Sequence, residues 1–297
     1  MKKMLTLSSS AVMTRRGIFT AALLATTALL TGSLAAQAVV PVQPVLANRE
    51  MTPRVDQVAP GEHPLMPVLR WAEAGRPAVA EIKDYTALVT KQENINNELQ
   101  GAQIMEIKVR HKPFSVYLKF RYPQNIVGRE AIYVEGANDS KLIAHGVGME
   151  KAFGTQFLDP EGLIAMRGNK YPITKMGILN LVDELVVVGK MDVKFGECEV
   201  RYTKDAKYDE RPCTIIDVTH PFPRKNFRYH KARIIVDNEY NLPVMYQSFD
   251  WPRAEGEKPV LLEGYTYQKL KLNVGLTDED FKHTNPNYGY RESGKGK

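Results

Sequence analysis

Cysteine is scarce in this chain, and the common local signatures of enzymes are missing. Two of the 297 residues are cysteine, and they do not stand in the Cys-x-x-Cys spacing of redox and zinc sites. The sequence has no Gly-x-Ser-x-Gly, no phosphate-binding Gly-Lys-Ser/Thr, no dinucleotide-binding glycine motif and no His-Glu-x-x-His. We therefore predict no catalytic residue, no metal site and no cofactor.

Net charge is also small once the N-terminus is set aside. The formal charge is +6, but the first 38 residues hold four basic residues and no acidic one. In the remainder, 36 basic residues face 34 acidic ones, which leaves +2. A net charge this small, with no cluster of lysine and arginine residues, predicts no positively charged surface that would bind nucleic acid. The sequence therefore excludes nucleic acid as a partner.

The N-terminal 38 residues have the pattern of a signal peptide. Basic residues precede an apolar run over residues 18–34, and Ala36-Gln37-Ala38 is a small-x-small cleavage site. The run is shorter than the roughly 20 residues that a membrane-spanning helix needs. We expect cleavage near Ala38 and export to the periplasm. Because Arg15 and Arg16 are adjacent, both the Sec and the twin-arginine routes stay open.

After the signal, the chain divides into a leader, one domain and a tail. Residues 39–63 are rich in proline and lack hydrophobic periodicity, which predicts a flexible leader. Residues 64–290 predict a single domain, and residues 291–297 a disordered tail. A helix over residues 65–82, interrupted by prolines, precedes several segments with a period of two, such as residues 105–110.

A second helical pattern divides the strand-like segments. Ile178, Leu181, Val182 and Leu185 fall at helical spacing, with Thr174 as the expected N-cap. Strand patterns then resume to residue 274. We therefore predict an α+β fold in which a strongly curved antiparallel sheet forms a half-open β-barrel covered by helices.

The two cysteines, Cys198 and Cys213, flank a polar segment at residues 202–211. An exported protein meets an oxidising compartment, where such a pair is ordinarily bridged. The sequence therefore predicts a disulfide that closes a hairpin, worth roughly 3 kcal/mol for a loop of about 15 residues.

Two loops can each be interpreted in two ways. Residues 220–230 combine aromatic and basic side chains, which is typical either of a surface that meets an anionic head group or of a packed strand connection. Residues 146–160 predict either a mobile lid or a loop that crosses the sheet. His145, His220 and His230, with Asp217, are interpreted as turn or surface residues rather than as a catalytic group.

Three segments resemble the bacterial domain-of-unknown-function family 1571. They are VRHKPFSVYLKF at residues 109–120, AIYVEG at residues 131–136 and YPITKMGI at residues 171–178. The order of elements and the ending YTYQKLKLNVGLTDEDF, at residues 265–281, more remotely resemble the LolA/LolB/RseB lipoprotein-binding superfamily. The resemblance covers about residues 64–290. It implies a half-open barrel, plugged by helices, whose apolar concavity accepts acyl chains.

Alternation along the strands and the apolar stripes of the helices predict which side chains would line that concavity. Ordinary core residues follow the same patterns, so the sequence alone does not separate a filled core from a cavity. The predicted ligand-binding residues are Trp71, Met105, Ile107, Val116, Leu118, Phe120, Tyr133, Leu142, Leu181 and Leu185.

The functional prediction is a non-enzymatic, monomeric periplasmic protein that binds a hydrophobic or lipidated ligand as a carrier or sensor. Its expected partners are an acyl chain or a lipoprotein, together with a membrane protein of the cell envelope. Two alternatives stay open, a hydrolase acting on an envelope polymer and a regulatory module that docks another envelope protein.

Overall fold

The computed structural model describes residues 58–290. The predicted signal peptide (residues 1–38), the leader before residue 58 and the predicted tail (residues 291–297) lie outside the described residues. Within residues 58–290, no helix is both long enough and apolar enough to cross a bilayer. The helices are α1 (Met66–Ala80), α2 (Leu163–Met166) and α3 (Ile178–Asp192). The strands are β1 (Asp84–Ile95), β2 (Glu98–Leu99), β3 (Gln103–Arg110), β4 (Ser115–Tyr122), β5 (Glu130–Val134), β6 (Leu142–His145), β7 (Thr155–Leu158), β8 (Glu199–Tyr208), β9 (Arg211–Thr219), β10 (Lys231–Asp237), β11 (Leu242–Asp250) and β12 (Val260–Leu272).

All twelve strands belong to one antiparallel sheet. Its order is β7-β6-β5-β4-β3-β1-β12-β11-β10-β9-β8, and β2 pairs with β1. The end strands β7 and β8 do not pair with each other, so the sheet is open, while α1 and α3 pack on its inner face. The predicted α+β fold, a half-open curved sheet covered by helices, is confirmed.

Both faces of the sheet are covered beside its long central strands. On the inner face, Tyr85, Val89 and Val109 pack against α3 in the main core. On the outer face of β4–β6, Tyr117 stacks on Tyr288 at 4.1 Å between ring centroids, and Phe281 is buried in the same cluster. The residues that follow β12 therefore cover the convex side, while the concave side is left to the helices.

The start of α3 differs from the sequence prediction. Thr174 is not its N-cap, because residues 173–175 form a separate 3-10 turn and the helix begins after Gly177. The backbone N–H of Ile178 donates instead to the fully buried Tyr85 hydroxyl at 2.9 Å. A tyrosine from β1 thus satisfies one of the helix's otherwise unpaired N–H groups.

The predicted disulfide between Cys198 and Cys213 is wrong for this structure, in which both are free thiols. Cys213 pairs with Ala206 near the turn of the β8–β9 hairpin, whereas Cys198 precedes the opposite end, where Glu199 pairs with Thr219. At about 3.3 Å per strand residue, the two cysteines are some 20 Å apart, far beyond the reach of a disulfide. The polar segment taken as a loop is mostly strand β8.

Gly177 offers a direct test of how β1 positions α3. Its φ of 112° and ψ of 161° lie in a region that essentially only glycine adopts, and a Cβ there would stand 2.9 Å from the Tyr85 hydroxyl. We predict that Gly177→Ala lowers the free energy of unfolding by roughly 3 kcal/mol, measured by urea denaturation. Gly196→Ala is the matched control, since its φ is +68° but its Cβ would meet nothing within 4 Å. Equal losses in the two variants would contradict this role of Tyr85.

The free thiols give a second prediction. Burial, with Asp192 and Glu199, raises the pKa of Cys198 to about 12, and burial with Asp237 raises that of Cys213 to about 11. Both thiols should therefore react slowly with iodoacetamide in the native protein, because the thiolate is the reactive form. In denaturant without reductant, mass spectrometry should show two added alkyl groups per chain. If the cysteines are alkylated only after reduction, they form a disulfide and the free thiols are wrong.

Candidate functional site

A cavity of about 1240 Å³ lies between the inner face of the sheet and its cover. Strands β1, β3–β7, β11 and β12 form its floor, while α3 and residues 160–177 form its opposite wall. The sheet therefore encloses space that the chain's own side chains leave unfilled.

The floor of the cavity is apolar where strands β3–β7 meet. Register pairs Met105 with Phe120, Leu118 with Ala131, and Leu142 with Leu158, so these side chains follow one another across the inner face. Helix α3 adds Leu181 and Leu185 from the opposite wall. Alternation places these residues together because one face of every strand points inward.

Six of the ten predicted ligand-binding residues line the cavity, namely Met105, Leu118, Phe120, Leu142, Leu181 and Leu185. The other four lie outside its lining. Ile107 and Val116 are buried in the main core, and Tyr133 packs near Phe114 at 6.2 Å between ring centroids. Trp71, on α1, packs against a second core cluster that includes Ile216 and Ile234, and it donates its indole N–H to Asn241 Oδ1 at 2.8 Å. Contact with a ligand stays a prediction for all ten.

The opposite end of the cavity is polar, and its charged side chains are buried except for that of Lys170, which is exposed. Glu93 Oε1 accepts a hydrogen bond from the Tyr265 hydroxyl at 2.6 Å, and Glu93 Oε2 accepts from Lys91 Nζ at 3.2 Å and from the Lys170 backbone N–H at 2.9 Å. Glu263 Oε2 pairs with Lys170 Nζ at 2.8 Å. We call these five residues, Lys91, Glu93, Lys170, Glu263 and Tyr265, the polar end.

Burial shapes the protonation behaviour of the polar end. It lowers the pKa of Lys91, although Glu93 opposes this effect. Burial and the carboxylate of Glu93 raise the pKa of Tyr265 well above its usual range, so its hydroxyl stays a donor. Two lysines and two glutamates compensate one another here, and the network ties residues 169–170 of the cover to the sheet.

The sequence reasoning missed the polar end, although a signal for it was present. Lys91 and Glu93 continue the inward phase of Val89 along β1, and the register sets them opposite Tyr265 and Glu263. Charged residues that continue an inward-facing alternation indicate a polar site in a concavity. Neither residue belongs to a local catalytic motif, so only this inward phase marks them in the sequence.

The three histidines do not form one group, because only His220 and His230 are neighbours: the His220 backbone N–H donates to the His230 carbonyl at 2.8 Å. His220 is fully buried, so its interpretation as a surface residue is wrong. His145 lies on β6, far along the sheet from His220, which follows β9, and Asp217 forms an ion pair with Arg233 at 2.7 Å. His220 Nε2 lies 3.6 Å from Asp192 Oδ2, and burial lowers the pKa of His220 while raising that of Asp192. Burial thus disfavours the charged form of each group. Among residues 58–290, no three His, Cys, Asp or Glu residues are grouped as metal ligands.

The two loops with alternatives are largely packed. In residues 220–230, Phe227 stacks on His220 at 3.9 Å and Arg228 pairs with Glu184 at 2.9 Å, which favours a packed strand connection. Residues 146–160 contain a 3-10 turn at Gly148–Phe153 and the edge strand β7. Phe153 both lines the cavity and is 72% exposed, so this segment forms part of the cavity mouth.

A double-mutant cycle tests the buried pair in the polar end. We predict that Lys91→Met destabilises the protein by about 3 kcal/mol in urea denaturation at neutral pH, because Glu93 is left as a buried charge without its ammonium partner. Lys91→Met combined with Glu93→Gln should cost less than Lys91→Met alone. The control is Arg121→Met, which removes an exposed pair with Glu106 and should cost under about 1 kcal/mol. Equal losses at Lys91 and Arg121 would contradict the burial of this network.

Several solved structures resemble the chain at low identity. A DUF1329 family protein from Desulfovibrio piger is 13% identical, with 73% of this chain and 96% of that chain covered at a TM-score of 0.36. A putative outer membrane lipoprotein-sorting protein domain from Vibrio parahaemolyticus is 13% identical, with 72% and 95% covered at 0.34. A LolA superfamily protein from Nitrosomonas europaea is 12% identical, with 71% and 97% covered at 0.28. Because these superpositions are partial, they do not indicate what this chain binds. The ligand is inferred from the chain's own cavity.

Family membership rests on a separate comparison. No curated protein matches the chain. The family described as "Protein of unknown function (DUF1571)" matches residues 82–290, which is well over half of the chain. The matched span runs from the residues just before β1 to the end of the described region, so it includes the whole sheet and both ends of the cavity. The chain belongs to the DUF1571 family.

Proposed function

We propose that this protein binds an amphiphile, a molecule with a long apolar chain and a polar head, in the cavity between the sheet and α3, and that it carries or senses that molecule without catalysing a reaction. The single observation that carries the proposal is the cavity itself, about 1240 Å³ in volume with an apolar floor. Cavities of this kind bind chiefly by burying apolar surface.

The apolar floor supplies the binding free energy. Burying one methylene group contributes about 0.8 kcal/mol, so an acyl chain of about ten carbons gains several kcal/mol even after the cost of ordering it. Met105, Leu118 and Leu181 present hydrocarbon from both the sheet and the helix. No reactive group is required for this step.

The polar end supports an amphiphile rather than a plain hydrocarbon. Glu93, Glu263 and Lys170 are paired with protein groups, but charged groups are costly to surround with hydrocarbon even when they are paired. A ligand with a polar head does not have to bring its apolar chain against this end of the cavity. The cavity thus matches a molecule whose two ends differ in polarity.

The periplasm is the proposed compartment, and the support for it lies in the sequence of residues 1–38. There, a hydrophobic molecule must cross an aqueous space between membranes, which calls for a protein that shields apolar chains from water. The second partner in the proposal is a membrane protein of the envelope that delivers or accepts the ligand.

Binding is testable with a cavity-filling variant. Ala144 lies on the inner face of β6 and lines the cavity, so Ala144→Phe would occupy ligand space without introducing a charge. We predict that the wild-type protein binds an anthroyloxy-labelled fatty acid. Excluding about two methylene groups from contact should weaken binding of that probe to the variant by roughly fifteenfold, measured by fluorescence titration.

Ala254→Phe is the matched control, because Ala254 lies in an exposed turn away from the cavity. Native mass spectrometry of freshly purified wild-type protein, followed by lipid extraction, should also show a co-purified acyl compound. Failure of the wild-type protein to bind the probe, or equal binding by both phenylalanine variants, would contradict the proposal.

A further inference from the structure

The charges that line the cavity are paired, with two exceptions. Six carboxylates line it, and each has a cationic partner among the described residues. The pairs are Glu93 with Lys91, Glu130 with Lys119, Glu150 with Arg129, Asp183 with Arg76, Glu184 with Arg228 and Glu263 with Lys170. Of the lining cations, Arg167 and Lys175 have no carboxylate partner within residues 58–290. Lys119 and Arg76 pair with Glu130 and Asp183 from outside the lining, so eight cations and six carboxylates lie in or next to the cavity wall. Arg167 and Lys175 are the two cations that remain after this pairing.

The two unpaired cations bracket the segment that builds the polar end. Arg167 directly follows α2, and Lys175 ends the 3-10 turn that precedes α3. Lys170 lies between them and is held to Glu93 and Glu263 on the sheet, so the segment that carries both cations is anchored at its centre. Both cationic side chains are exposed and line the cavity, which places them at its mouth.

The buried groups of the polar end are a poor site for a cationic head. Glu263 already holds the Lys170 ammonium at 2.8 Å, and both oxygens of Glu93 accept hydrogen bonds from the protein. A ligand cation would have to displace these partners and approach Arg167 and Lys175, the two lining cations that have no ion-pair partner within residues 58–290. Two exposed acids near α2, Asp159 and Glu161, do not line the cavity.

We propose that the ligand is an anionic amphiphile, whose carboxylate or phosphate head lies between Arg167 and Lys175 at the mouth while its chain lies along the apolar floor. The inference rests on the proposed function and adds the chemical class of the ligand. A guanidinium donates two parallel hydrogen bonds to a carboxylate or a phosphate, and an ammonium adds a second, more flexible positive charge.

The test compares four molecules with the same decyl chain, namely decanoate, decyl phosphate, decanol and decyltrimethylammonium, in competition with the anthroyloxy-labelled fatty acid at low salt. An exposed ion pair contributes up to about fivefold in affinity, so two of them should make the anions bind roughly tenfold tighter than decanol. Decyltrimethylammonium should bind more weakly than decanol. The preference for anions should shrink as salt is raised, because exposed charges are screened.

The variant for this test is Arg167→Gln combined with Lys175→Gln. It should lose the preference for anions and keep the wild-type affinity for decanol, which also shows that it is folded. Arg201→Gln combined with Lys207→Gln removes two exposed cations of β8 that do not line the cavity, and it should keep the preference. The ratio of decanoate to decyl phosphate affinity in the wild-type protein tells a carboxylate head from a phosphate head.

The outcomes separate the two proposals. If decanol and the anions all fail to bind, the proposed function is overturned. If decanol binds but the anions bind no more tightly, or decyltrimethylammonium binds best, the cavity is a binding site and the anionic head is wrong. A preference for anions that survives in the Arg167 and Lys175 double variant would overturn the assignment of these two residues.

Discussion

The structure depends on a mismatch between the area of the inner sheet face and the area that two helices can cover. Neighbouring strands lie about 4.8 Å apart, so the eleven-strand path spans roughly 50 Å along its curve, whereas two helices side by side cover about 20 Å. Helices α1 and α3 have 15 residues each and pack against the central and β8–β10 parts of the inner face. The inner face of β3–β7 is then left to residues 160–177, and the cavity lies beneath them.

The buried polar end explains how an irregular cover keeps its position over this space. Residues 160–177 contain only a four-residue helix and a 3-10 turn, so their own secondary structure contributes little rigidity. Ile173 and Met176 pack against the main core, and Lys170 connects the segment to Glu93 and Glu263 on the sheet. A buried ion pair adds little to the net free energy of folding. Separating its two groups is costly, however, because a charge is then left buried without its partner, so the pair holds the segment in one position. The same network gives the cavity two chemically different ends.

Local pattern predicted the architecture well because antiparallel strands with one covered face alternate clearly, as Met105 and Ile107 do on β3 and Leu118 and Phe120 on β4. Alternation identifies the inward-facing residues but does not show which of them face a helix and which face the cavity. Ile107 and Val116 are covered by the core, whereas Met105 and Leu118 line the cavity, and this difference depends on where the helices end. The predicted disulfide is wrong because residues 202–211 were taken as a loop. Strand β8 extends through most of them, so Cys213, on β9, lies beside Ala206 and far from Cys198. The polar end joins residues about 170 positions apart, such as Glu93 and Tyr265, and no local motif encodes such a pairing.

The most direct measurement is to locate a heavy atom on the ligand, because it shows whether a ligand or the protein's own side chains fill the cavity. In a crystal of the protein grown with an acyl chain brominated at its terminal carbon, the anomalous signal of bromine should lie between Met105 and Leu118 of the sheet and Leu181 of α3. Absence of that signal, with side chains closed across the same space, would contradict the account.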